Sequence, residues 1–98
     1  MLTLSKEDYR ELYEELVQVL YRHDPIGLAS SGAPHDEYEP EVGTIIPRLG
    51  SAVSAEDVTR IVYEEFSHWF GAESTTGPYK AYAPIGEEIW LLLTKRFK

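Results

Sequence analysis

Ser54-Ala55-Glu56-Asp57-Val58-Thr59-Arg60-Ile61-Val62-Tyr63-Glu64-Glu65-Phe66-Ser67-His68-Trp69-Phe70-Gly71 reads as one amphipathic helix from cap to stop. Ser54 stands three residues before Asp57, the offset of a capping box, in which hydroxyl and acid satisfy backbone donors left free by the first turn. Val53 and Val58 flank that cap at the positions of a hydrophobic staple. Val58, Ile61, Val62, Phe66, Trp69 and Phe70 then recur at helical spacing, which gathers them on one stripe facing a core. Gly71 follows, where the backbone turns left-handed and glycine does so without strain.

The same pattern opens the chain. Ser5 precedes Asp8, Leu4 and Tyr9 occupy the staple positions, and Tyr9, Leu12, Tyr13, Leu16, Val19 and Leu20 form the apolar stripe. Glu7, Arg10, Glu11, Glu14, Glu15 and Gln18 take the other, solvated face. Asp24-Pro25 ends this helix, because the residue before a proline avoids the helical region. A shorter helix is expected with Glu39 as cap, Pro40 at its first position and Val42, Ile45, Ile46 and Leu49 inward. Pro47 should kink it, or end it early into a loose turn. Ala83-Pro84 opens the last element, Ile85 to Phe97, with Glu87 and Glu88 in its first turn and Lys95, Arg96 and Lys98 at its end, a charge order that suits a helix dipole. Its centre, Ile89 to Leu93, is apolar on every side. It is either a helix covered by other helices or by a partner, or a buried strand.

The chain has 98 residues, room for one core and not two. It is 43% hydrophobic and 27% charged, the balance of a folding globular chain. The formal net charge of −8 repels a phosphate backbone, so no nucleic-acid partner is expected. The acids are unevenly spread: residues 35–41 carry four and no lysine or arginine, and the only basic surface is the C-terminal end. With no cysteine there is no disulfide, thiolate metal site or thiol nucleophile. Residues 1–8 lack the basic start and apolar run of a signal peptide, and no apolar run could span a bilayer. A cytoplasmic protein that does not engage a membrane is expected.

The densest polar cluster is His35-Asp36-Glu37-Tyr38-Glu39-Pro40-Glu41, and three readings stand side by side. His35 with Asp36 and Glu37 has the donor types of a metal site or metal-dependent hydrolase, at a spacing matching neither a calcium loop nor His-Glu-x-x-His. An acid-rich approach to a helix start, with Tyr38 packed beneath, satisfies free backbone donors and the dipole. Four carboxylates beside an exposed tyrosine could instead dock a basic partner through Asp36, Glu37, Tyr38, Glu39 and Glu41. His23 and His68 lie at the edges of helix stripes, as packed or capping residues do. No serine lies in a nucleophile elbow, and Gly27, Gly32 and Gly43 fit no phosphate-binding pattern, so neither a catalytic constellation nor a bound cofactor is expected. Tyr13, Tyr21, Tyr63, Tyr79 and Tyr82 either form a contact patch or wall a small core with their hydroxyls turned to water.

Asp24-Pro25-Ile26-Gly27-Leu28, with Ala33 to Glu41 and the isoleucines Ile45 and Ile46, resembles the YugE-like family of small bacterial helical proteins, a family of unknown function. The pattern is matched at Asp24, Pro25, Gly27, Pro34, Asp36, Glu37, Tyr38 and Glu41, and covers about the first half of the chain. The resemblance implies an all-helical fold and no particular activity. Physically the motif makes sense as a clasp: Asp24-Pro25 ends one helix, Gly27 permits the turn, Pro34 stiffens the return, and the acids with Tyr38 start the next helix.

These readings converge on an all-α, compact four-helix domain with helices near 5–23, 40–49, 54–70 and 84–97 and ordered loops. The expected role is noncatalytic: an acidic protein-binding module, such as a small bacterial adaptor or immunity-type protein. Self-association through the all-round apolar last helix is a further expectation to test.

Overall fold

The computed structural model describes residues 5–27, 32, 38–71 and 76–97. Among them the chain forms four α-helices and no strand: α1 (Lys6–His23), α2 (Glu39–Ile45), α3 (Ala55–Phe70) and α4 (Ala83–Phe97). Two 3-10 turns, Ile46–Ser51 and Tyr79–Tyr82, extend α2 and lead into α4. Each helix packs on two neighbours in the cycle α1–α2–α3–α4, closed by contacts between α4 and α1. The radius of gyration of 12.7 Å is what about 100 residues reach when packed as one domain, roughly 13 Å.

The helix starts follow from the serines. The Ser5 hydroxyl accepts the Asp8 amide at 3.1 Å, and Ser54 does the same for Asp57 at 3.2 Å. The Val53–Val58 staple does not form: Val53 is 77% exposed while Val58 is in the core. In its place the Asp57 carboxylate accepts the Val53 amide at 2.9 Å. That bond, followed by the Arg60 guanidinium, holds the Asp57 carboxyl below the usual carboxylate range.

Three other boundaries differ from expectation. Helix α2 begins at Glu39 with Tyr38 at the cap position, so Glu39 is not the cap and Pro40 is the second helical residue. A proline tolerates either place because the amides of a first turn have no helical partner. Helix α4 begins at Ala83, which moves Glu87 and Glu88 into the second turn and leaves the first without an acid. Gly71 ends α3 with positive φ as expected, but ψ is −99°, outside the left-handed helical well. At Pro47 the α-helix has already ended and the tighter 3-10 turn carries the chain on, since proline has no amide to donate.

The core is one cluster. Leu12, Leu16 and Leu20 of α1, Val42 and Ile45 of α2, Val58, Ile61, Val62 and Phe66 of α3, and Ile85, Ile89 and Leu93 of α4 are all buried. Residues 89–93 are helix, and the all-round apolar stretch is only partly covered: Ile89 and Leu93 point inward, while Leu91 is 65% exposed. Tyr82 is buried edge-on against Phe66 and Tyr63, its hydroxyl donating to the Thr76 carbonyl. One turn later Gly86 meets Thr59, so α4 runs antiparallel to α3.

At Gly86 the two helices lie very close together. A Cβ there would stand 1.9 Å from Thr59 Oγ1 and 2.7 Å from the Thr59 backbone nitrogen and Cα. A flexible side chain could yield, but backbone cannot. Gly86→Ala is therefore expected to lower stability by about 1–3 kcal/mol, although alanine at an unhindered helix site would raise it by up to about 1 kcal/mol. Urea unfolding measures the sign directly. Adding Thr59→Ala, which removes Oγ1 without placing a glycine in α3, should recover only part of the loss, because the backbone contacts remain.

Candidate functional site

The turn after α1 positions everything around the expected site. Asp24 adopts a left-handed conformation (φ 53°), its amide bonding the Leu20 carbonyl at 2.7 Å. This is the left-handed helix end that aspartate tolerates better than most side chains, and not the extended backbone that a residue before proline usually takes. The Gly27 amide then closes a turn onto the Asp24 carbonyl at 3.1 Å, with φ of 78° that glycine takes freely. From the other side of the motif the Tyr38 hydroxyl donates to Asp24 Oδ1 at 2.8 Å. That bond joins the end of α1 to the start of α2. Pro34, His35, Asp36 and Glu37 lie outside the described residues.

The remaining members of the acidic cluster part company. Tyr38 is fully buried and packs its ring on Phe66, so it lies beneath the helix start, as the second of the three readings had it, and is not the exposed tyrosine of the docking reading. Glu41 is also inside, at 3% exposure, and presents no carboxylate to a partner. Glu39 alone of the three is exposed. The reason is helical geometry: Tyr38, Glu41, Val42 and Ile45 fall on one stripe at offsets of three, four and seven, and Glu39 lies about 100° round the helix from Tyr38, off that stripe.

Glu39 borders an open groove between α1 and the start of α2. Its volume is about 470 Å3 and its lining is Arg10, Tyr13, Glu14, Val17, Gln18 and Glu39. The Tyr13 hydroxyl donates to the Glu39 backbone carbonyl at 3.2 Å and lies 3.5 Å from its Oε1, which sets ring and carboxylate side by side. Partial burial, then the nearby Glu39 charge, raises the Tyr13 phenol above its ordinary range, so it stays a neutral donor. Arg10, Glu14 and Gln18 were legible only as a solvated face. Their spacing of four along α1 placed them on one strip beside Tyr13 and Val17, but nothing local in sequence says that α2 begins against that strip.

Elsewhere the charged groups hold elements together. Glu88 of α4 takes Arg22 in a two-point contact at 2.6 and 3.1 Å and His23 Nε2 at 2.8 Å, which ties α4 to the end of α1. Its carboxyl is pulled below the usual range, first by the Arg22 hydrogen bonds and then by His23. Arg48 bridges Glu64 and Glu65 at 2.6 and 2.9 Å, fixing the 3-10 turn after α2 to α3. His68 is exposed. The five-tyrosine patch does not assemble as one surface: Tyr82 is in the core, with Tyr63 between it and Tyr79. Burial, then Tyr63, pushes the Tyr82 phenol up to about 12.

Ser5 and Ser54 cap helices, and Thr44, Ser51, Thr59 and Thr94 bond carbonyls three or four residues back. Among the described residues no three histidine, aspartate or glutamate side chains are grouped to hold a metal, and no helix is long and apolar enough to cross a membrane. Compared with known families, characterised proteins and solved structures, the chain finds no match.

Two outcomes follow from these bonds. Tyr38→Phe keeps the buried ring but removes the donor to Asp24, and should cost about 1–2 kcal/mol in chemical unfolding. Glu88 has its folded-state pKa below the unfolded one, so its contribution is present at neutral pH and is lost as pH falls through the folded value. Urea midpoints of wild type should therefore fall more steeply between pH 7 and about 3 than those of Glu88→Gln.

Proposed function

We propose that the chain is a noncatalytic, acidic protein-binding module, of the kind that a small bacterial adaptor or an immunity-type protein represents, acting in the cytoplasm on a basic partner. The observation that carries this reading is the exposed Glu39 carboxylate at an open groove whose lining also holds Glu14 and the Tyr13 ring. A net charge of −8 adds long-range attraction for a basic protein. Tyr38, being buried, acts from beneath by tying the start of α2 to Asp24, Glu41 is buried in the same helix, and the turn at Asp24, Pro25 and Gly27 sets the approach. The proposed binding residues are then Glu39, exposed at the groove, and Asp36 and Glu37, which shortly precede it in sequence. The clasp is likewise the part of the chain on which kinship with the YugE-like proteins is proposed.

The test immobilises the full chain and an Asp36→Lys/Glu37→Lys/Glu39→Lys variant with unchanged circular dichroism, and passes lysate of the source organism over both at moderate salt. One basic protein held by wild type, released by added salt and absent from the variant is the expected result. Equal retention by both, or none by either, would overturn the reading.

A further inference from the structure

Three of the described arginines are held by carboxylates: Arg22 by Glu88, Arg48 by Glu64 and Glu65, Arg60 by Asp57. Arg10 is the exception among arginines whose side chains are described, although Glu14 stands one turn away on the same face. Glu14 likewise has no bonded partner among the described residues. Both line the groove between α1 and α2, with Gln18 a further turn along. The helical rise from Arg10 to Gln18 is about 12 Å, which matches roughly three to four residues of extended chain.

We infer that this groove takes an extended segment of a basic partner protein and seats one lysine or arginine side chain between Glu14 and Glu39, over the Tyr13 ring. This rests on the acidic-module reading and names its site and its partner's chemistry. Charge complementarity favours this occupant: two carboxylates and one guanidinium line the groove, in a chain of net charge −8. The Tyr13–Glu39 contact supplies an aromatic face and a carboxylate together, the pair that suits a cation on an aliphatic stem. Val17 gives that stem an apolar floor. Arg10 and Gln18, one at each end, offer N–H donors to the segment's backbone carbonyls.

The experiment titrates the 15N-labelled full chain with capped five-residue peptides of alanine and glycine whose central residue is lysine, arginine, norleucine or glutamate. Lysine and arginine peptides are expected to shift the amides of Tyr13, Glu14, Gln18 and Glu39. Glu14→Gln/Glu39→Gln should weaken them by about tenfold, while Glu56→Gln/Glu87→Gln, which removes as much charge elsewhere, should change binding less than about twofold. Equal weakening in the two double variants, or shifts centred on another acidic surface, would overturn the groove and leave the acidic-module reading standing. Equally tight binding of the norleucine or glutamate peptide would overturn the basic occupant. If no basic peptide shifts any surface, the groove and the module reading fall together.

Discussion

At residue 86 α4 comes so near to α3 that a side-chain carbon would lie 2.7 Å from the Thr59 backbone. Glycine at that turn lets the two helices share a line of contact, and the rest of α4 is placed by it. The stripe Tyr82, Ile85, Ile89 and Leu93 runs beside Gly86 and enters the core, where Tyr82 meets Phe66. Glu88 lies two residues on, about 200° round the helix, and so faces the end of α1, where Arg22 and His23 close the ring of helices. A bulkier residue at 86 would shift the whole of α4, and with it both the aromatic packing and the ion pairs.

Much of this architecture was legible in local sequence. Ser5 and Ser54 announced two helix starts, Asp24-Pro25 and Gly71 two ends, and Pro47 the change from α-helix to a tighter turn. These signals work because capping and proline geometry depend on residues a few positions apart. Gly86 was not legible: a lone glycine inside a helix pattern looks like a mild fault until the partner helix, some 27 residues away, is known to press on it. The Val53–Val58 staple failed for a related reason. The Asp57 carboxylate claimed the Val53 amide, and the valine side chain was left outside.

The acidic cluster shows the same division between local and tertiary information. Its composition suggested one continuous charged surface, whereas the helix starting at Glu39 sorts its members by angle. Tyr38 and Glu41 belong to the inward stripe of Val42 and Ile45, a periodicity present in the sequence one turn ahead of where the apolar residues begin. The expected helix near 40–49 already held Glu41, but a glutamate is normally assigned to the solvated face. The groove beside Glu39 was beyond sequence altogether, since it exists only where the strip of α1 bearing Arg10, Glu14 and Gln18 meets the start of α2.

The pairing of Arg22 with Glu88 joins positions 66 residues apart, and this has a meaning for the order in which the protein is made. Ribosomes deliver α1 early and Glu88 some seconds later, at about 5–20 residues per second. Until then the end of α1 has no α4 to lie against, and Ile85 and Ile89 are not yet there to complete the core. Closing the ring thus waits for α4, and until Ile85, Ile89 and Leu93 arrive the apolar stripes of α1, α2 and α3 have only one another to pack against.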